Sequence, residues 1–268
     1  MMTVIILIIT GIIAGILSAI LGIGGGIVIL PATQLLLHFD PATAVATTLL
    51  AIALTTISGA YGHYRNGIVE VKTALLVGSG GVIGVILGSY IFKNYLTTNT
   101  IYIEGFLGII FLLMVYRMGK DVYRELRDDI KPEEKAASLS GPLWLVLLGM
   151  FVGILTGMLG LGGGFIIVPA MLWLFGIPPM IAVGNTLLAM VPITMVGALI
   201  KLGQGFVNLN AGLVIGLGSI FGAQIGVKIS SLVNPVLFKA VFTLIFAYLA
   251  LSYLYPFVSM IGLKLLGI

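Results

Sequence analysis

Apolar positions run through this chain in stretches close to the 20 or so residues that carry a helix across about 30 Å of hydrocarbon. Thr3 to Leu21 is the first such stretch. A glycine cluster follows, and then Ile27 to Phe39, which is apolar but short for a crossing and carries Pro31, Gln34 and His38. Further spans are predicted at Ala42–Tyr61, Thr73–Phe92 and Ile101–Met118. The pattern breaks only at Arg117–Lys135, a hydrophilic stretch that holds Arg117, Lys120, Arg124, Arg127, Lys131 and Lys135, nearly half of the 13 basic residues. The expected fold is all-α and polytopic in a membrane.

From Gly149 the chain repeats itself. Gly11 matches Gly149, Gly15 matches Gly153, Gly24 matches Gly162 and Pro31 matches Pro169, always 138 residues apart, as 162 is from 24. The same offset aligns Pro41 with Pro179, Thr48-Leu49-Leu50-Ala51 with Thr186-Leu187-Leu188-Ala189, Gly67 with Gly205 and Gly84 with Gly222, without a gap. Self-similarity of this extent marks an internal duplication. It divides the chain into a first half (1–118), a hydrophilic linker (119–140), a second half (141–257) and an apolar tail (258–268). Each half is expected to hold one glycine-broken helical hairpin and three further transmembrane helices.

Orientation follows Lys and Arg, so the linker is expected in the cytoplasm, and the Arg65–Lys72 connection with it. Charges do not decide the relation of the halves. Inverted copies place Lys228 and Lys239 inside, whereas parallel copies place Lys201 and Lys264 there. An inverted repeat is favoured, because hairpins entering from opposite faces would bring both glycine clusters to the midplane.

Composition narrows the function. The 268 residues are 60% hydrophobic and 8% charged, which leaves no room for an ordinary soluble domain. The net charge of +4 sits mostly at span ends, where membrane orientation accounts for it, so nucleic acid is not an expected partner. There is no cysteine, and two histidines without an acidic cluster do not suggest a metal or other cofactor. No nucleophile–base constellation points to an enzyme. The N-terminus lacks the basic start of a cleavable signal and is read as a retained membrane segment.

The candidate chemistry lies at Gly22-Ile23-Gly24-Gly25-Gly26 and Gly160-Leu161-Gly162-Gly163-Gly164. Three successive glycines stop a helix, and inside a bilayer such a break persists only where protein or a water-filled cavity satisfies the backbone. Paired breaks in matching positions point to a transporter binding site; close helix packing is the plain alternative. Gly24, Gly25 and Gly26, like Gly162, Gly163 and Gly164, open a helix, whose free N–H groups and dipole attract an anion. Nearby polar pairs, Thr47-Thr48 and Asn185-Thr186, can donate to oxyanion oxygens without a buried charge. Thr55 and Thr56 are expected instead to bond back to carbonyls one turn earlier. Asp40-Pro41 reads as N-cap and first helical residue. Arg65 and Lys201 are candidate mouth or gating charges, with a plain reading as interfacial residues, and His38 and His63 are read as interfacial. No Asp or Glu lies mid-span; Asp40, Glu70 and Glu104 sit near ends. That argues against a carboxylate-based cation carrier.

These residues also carry a family resemblance. Gly22-x-Gly24-Gly25-Gly26 with Pro31, then Ala44-x-x-Thr47-Thr48-Leu49, then His63-x-Arg65-x-Gly67-x-Val69 resembles the TauE/SafE sulfite-exporter family. The resemblance implies a multi-pass transporter in a prokaryotic cytoplasmic (inner) membrane, related to exporters of sulfite and sulfonates. The family's small-hydroxyl pair then falls on Thr47-Thr48 and on Asn185-Thr186. The second half departs at the loop, where Lys201 and Gly203 stand in place of His63 and Arg65. The expected function is transport, by export, of a small sulfur-containing oxyanion. The alternatives are another small anion or sulfur metabolite, or a non-transporting membrane scaffold. Expected partners are the lipid bilayer and the anion, with self-association left open.

Overall fold

A computed structural model describes residues 2–96, 108–109, 111–113, 115–116, 119–120, 122–124, 127, 141–230, 232 and 235–265. Most of the linker and the N-terminal part of the expected Ile101–Met118 span lie outside the described residues. The chain forms two compact units: Met1–Asn94 with Ala136–Leu232, and Tyr95–Lys135 with Val233–Ile268. The units cut across the sequence halves.

The first unit contains α1 (Met2–Leu21), α2 (Gly26–Leu36), α3 (Pro41–Arg65), α4 (Val71–Ile91, extended by a π turn at Phe92–Leu96), α5 (Pro142–Leu159), α6 (Gly164–Leu174), α7 (Pro179–Gly203) and α8 (Leu209–Ser230). Six of its helices are long and apolar enough to cross a membrane; α2 and α6 are shorter, at 11 residues each. The expected hairpins are therefore α1–α2 and α5–α6.

Local chemistry explains the helix ends. The Asp40 carboxylate accepts hydrogen bonds from the N–H groups of Ala42 and Thr43, both at 3.1 Å, and Pro41 follows as the first helical residue. At the far end of α3 the chain turns through Asn66 and Gly67, whose φ of 70° lies in the left-handed region. The Gly67 N–H reaches Tyr64 O at 3.0 Å, and the Ile68 N–H reaches His63 O at 3.3 Å. Helix α7 ends the same way: Gly205 N–H to Leu202 O at 3.0 Å and Phe206 N–H to Lys201 O at 3.3 Å. A left-handed glycine that recovers orphan carbonyls is a common helix stop.

Packing is built on glycine. A side chain at Gly80, Gly84 or Gly88 would overlap the carbonyls of Val146, Met150 and Ile154 on α5. Gly218, Gly222 and Gly226 meet Ile8, Ile12 and Ile16 of α1 in the same manner. Lipid tails are as apolar as leucine, so contact between helices in a membrane rests on close backbone approach rather than on burial from water.

Contact registers give the helix directions. Residues 8, 12 and 16 meet 218, 222 and 226 in order, so α1 and α8 run parallel; α4 and α5 do likewise. Helices α3 and α7 run antiparallel, because Gly59 faces Leu187 while Gly197 faces Leu49. Every one of these contacts has a counterpart 138 residues away. The arrangement is compatible with the duplication read from the sequence. Since α3 and α7 are matching helices, their opposite directions suit inverted copies rather than parallel ones.

The second unit contains α9 (Pro235–Leu265) and helical residues between 108 and 124. Phe111 stacks on Phe246 with ring centroids 5.9 Å apart, and Gly108 admits the Leu254 side chain. Helix α9 runs past Phe257, where the second half is read to end, without a break. It continues to Leu265, since Gly262 alone is too weak a breaker in an apolar run.

Two outcomes follow from this packing. Gly84→Ala or Gly222→Ala should cost about 1–3 kcal/mol by overpacking against backbone, whereas Gly203→Ala, with open space around it, should stabilise α7 by about 0.4–1 kcal/mol; thermal unfolding of the purified protein measures both. Hydrogen bonds from the Thr43 hydroxyl and N–H hold the Asp40 carboxyl below its ordinary value. Its stabilisation is therefore present above the unfolded value and fades as the pH falls through the lower folded one. Asp40→Ala should cost about 1 kcal/mol near neutrality, and the difference from wild type should close below about pH 4.

Candidate functional site

Helix α1 ends where the Gly22 N–H bonds to Ser18 O at 2.7 Å, and α5 ends where the Gly160 N–H bonds to Thr156 O at 2.9 Å. Gly22, Gly24 and Gly25 then take φ of 74°, 77° and 81°; Gly160, Gly162 and Gly163 take 69°, 87° and 74°. Three left-handed residues in five reverse the chain within one turn, and only glycine does so without strain. Gly25 and Gly163 stand as N-caps with no side-chain cap. The N–H groups of Val28 and Ile29 turn back to Gly25 O at 3.0 Å, and those of Ile166 and Ile167 to Gly163 O at 3.0 and 3.1 Å. Each short helix thus begins with an uncapped, positively polarised end buried in the first unit.

The two turns meet. A Cβ on Gly26 would overlap Leu161 O, and one on Gly164 would overlap Gly22 O. Gly24 and Gly162 both face the same two side chains, Ile52 of α3 and Met190 of α7, which are themselves 138 residues apart. The two turns thus share one position within the first unit. The centre is filled by Ile52 and Met190 rather than open. An apolar cavity of about 140 Å³ lies elsewhere, lined by Leu50, Leu54 and Ile57 of α3 and by Met195, Leu199 and Leu202 of α7. It offers no polar group to an anion.

The polar pairs do more than face a ligand. Thr47 Oγ1 accepts the Asn208 N–H at 3.0 Å, and Asn185 Oδ1 accepts the Glu70 N–H at 2.6 Å. Each therefore pins the loop that leads into the last packed helix of the other half. Thr48 Oγ1 and Asn185 Nδ2 are buried and have no hydrogen-bond partner. The Thr186 hydroxyl points at Met171 Sδ, 3.8 Å away, a weak acceptor. Thr55 and Thr56 bond back to Ala51 O and Ala53 O at 2.8 and 3.0 Å, as expected. Thr55 also reaches Ser219 Oγ at 2.6 Å, and Thr56 lies 3.3 Å from its counterpart Thr194.

Two residues read as interfacial lie inside the protein. His63 and Lys201 are both fully buried. The His63 Nε2–H donates to Ala19 O at 2.8 Å, while Nδ1 has no partner. The Lys201 ammonium stands 3.0 Å from the centroid of the Phe92 ring and makes no hydrogen bond. Nearness to a helix end suggested an interface, but the end of α4 and the loop after α7 fold over Lys201, where Phe92 and Phe206 meet edge to face at 6.0 Å. A signal was available: Met190, Thr194, Gly197 and Lys201 recur at the spacing of one helix face, and so do Ile52, Thr56, Gly59 and His63. Arg65 is exposed, over the Tyr61 ring at 5.8 Å, and His38 is exposed as expected.

Comparison with known proteins gives a consistent result. The family profile described as Sulfite exporter TauE/SafE matches residues 7–253. The chain is 29% identical over 248 residues to the Bacillus subtilis (strain 168) protein named probable membrane transporter protein YunE, covering 85% of this chain and 89% of that one. It is 27% identical over 233 residues to probable membrane transporter protein YdhB of the same organism, covering 84% and 90%. A probable membrane transporter protein of Methanocaldococcus jannaschii is 26% identical over 251 residues, covering 85% and 87%. No solved structure matches the chain significantly.

Because Asn185 Oδ1 and Thr47 Oγ1 satisfy part-buried loop amides, Asn185→Leu and Thr47→Val should each destabilise by about 1 kcal/mol, the net worth of a hydrogen bond. Thr48→Val removes a hydroxyl with no partner and should leave thermal stability unchanged or raise it. Unfolding temperatures of the three variants separate the anchoring residues from the free one.

Proposed function

The chain belongs to the sulfite exporter TauE/SafE family of membrane transporters, and from that membership we propose that it carries a small sulfur-containing oxyanion, such as sulfite or a sulfonate, out across the cytoplasmic membrane of a prokaryote. As a multi-pass membrane transporter its immediate partners are the bilayer and a small substrate. One observation carries the reading of the cargo as an anion. The uncapped N-terminal ends of α2 and α6 converge beside the crossing of α3 and α7, from the two ends of an antiparallel helix pair. Two half-dipoles of the same sign directed at one place suit a negative guest and disfavour a cation.

In this reading the guest binds the amides at Gly24–Gly26 and Gly162–Gly164, and Thr48 and Asn185 Nδ2 supply further donors. Thr186 joins them once its hydroxyl leaves Met171. Ile52 and Met190 then act as the central closure between the two turns. Inward and outward access alternate as the hairpins shift against α3 and α7, and the unbranched Met190 side chain, with three rotatable bonds, yields first. Arg65, exposed at the end of α3, attracts anions toward one mouth.

The test is flux of sulfite, thiosulfate and taurine in vesicles reconstituted with the purified protein. Thr48→Val should lower the favoured flux about tenfold to a hundredfold, the worth of a hydrogen bond to a charged group, with no loss of thermal stability. Flux of none of the three by wild type would end the sulfur-oxyanion reading. Unchanged flux in Thr48→Val would remove Thr48 from the path.

A further inference from the structure

Lys201 is a fully buried basic side chain of the first unit whose amine has no hydrogen-bond partner among the described residues. Taking an ammonium out of water is expensive unless an acceptor replaces the lost hydration. The Phe92 ring face answers one direction of the group and leaves others unanswered.

The surroundings are equally incomplete. Ser89 lies one turn before Phe92 on α4; its hydroxyl is buried and has no partner. Gln204 lies three residues after Lys201. Its Nε2 approaches Ser89 O at 3.4 Å, while its Oε1 is buried and has no partner. The ends of α4 and α7 therefore carry two donors and one acceptor, all buried and unsatisfied, beside the edge-to-face pair of Phe92 and Phe206. The matching position in the other half is different. There His63 donates to Ala19 O and is satisfied on that side within the protein. Gly157 is the residue that corresponds to Ala19, and Lys201 makes no hydrogen bond to its carbonyl or to any other group. Nothing structural replaces the missing acceptor.

We propose that Lys201, with the Ser89 hydroxyl and Gln204, forms a buried docking site for a small oxyanion in the second half, an acceptor group for the ammonium and the hydroxyl. The unpaired Gln204 Oε1 suits an oxyanion that bears one proton, as hydrogensulfite does. This rests on the reading of the cargo as a sulfur oxyanion and adds a charged station at one end of its path. A phospholipid headgroup has the same phosphate-type oxygens, so the test separates free anion from lipid.

Wild type, Lys201→Met and Ser89→Ala are placed in nanodiscs of phosphatidylcholine, and sulfite binding is followed by calorimetry and by thermal shift. The expected result is that Lys201→Met binds sulfite at least tenfold more weakly and Ser89→Ala several-fold more weakly. Lys201→Met without sulfite should unfold no earlier than wild type, because a buried amine without a hydrogen-bond partner has been removed. Sulfite binding by Lys201→Met within twofold of wild type overturns the site, as does the lack of any sulfite binding by wild type. Stabilisation of wild type by phosphatidylglycerol nanodiscs alone, lost in Lys201→Met, identifies a lipid occupant and overturns the free-anion site. Flux in vesicles separates the two proposals. Full flux with unaltered binding in Lys201→Met removes the Lys201 site and leaves the transport reading standing. Binding at Lys201 without flux of any sulfur oxyanion removes the cargo and leaves the site.

Discussion

Close approach of helix backbones, allowed only where a Cβ is missing, is the constraint on which the first unit depends. Water drives no association between helices that lie in lipid, so van der Waals contact at short range must do so. Gly80, Gly84 and Gly88 let α5 settle onto α4, and Gly218, Gly222 and Gly226 let α1 settle onto α8. The same residue type serves a second purpose at the two turns, where positive φ reverses the chain and brings Gly26 against Leu161 O and Gly164 against Gly22 O. Packing glycines and turning glycines thus cooperate: without the first, the hairpins would not be held close enough for the second to meet.

Consequences of that meeting reach the function. Two helices begin inside the first unit, and their uncapped ends put partial positive charge among apolar side chains. Ile52 and Met190 lie against both turns and give the centre an apolar cover. The polar pairs on α3 and α7 divide the remaining work. Thr47 and Asn185 hold loops of the opposite half, which ties the two halves together at both ends. Thr48 stands free beside them.

Symmetry is preserved in the scaffold and broken in the chemistry. Contacts at offset 138 recur through α1–α8, down to the paired loop anchors. At the position of His63 and Lys201 they do not. One side chain finds a carbonyl 2.8 Å away, and the other finds only an aromatic face. Packing rests on small residues at many places and so keeps the offset, whereas the surroundings of one polar position depend on a few side chains and differ between the two.

Much of this was legible in the residue order. Spans, glycine turns, the Asp40 cap, the back-bonded Thr55 and Thr56 and the gapless offset all depend on neighbours within a few residues or on a period along the chain, and such signals need no tertiary knowledge. The charges do not orient the halves, whereas the antiparallel course of α3 and α7 suits inverted copies. Likewise, whether Lys201 and His63 face lipid headgroups or the protein interior depends on which loop folds over them. That is decided by Phe92, Phe206 and Ala19, residues far off in sequence. The chain alone determined where helices break; the fold decided what each break touches, because contacts between segments more than a hundred residues apart leave no local period to read.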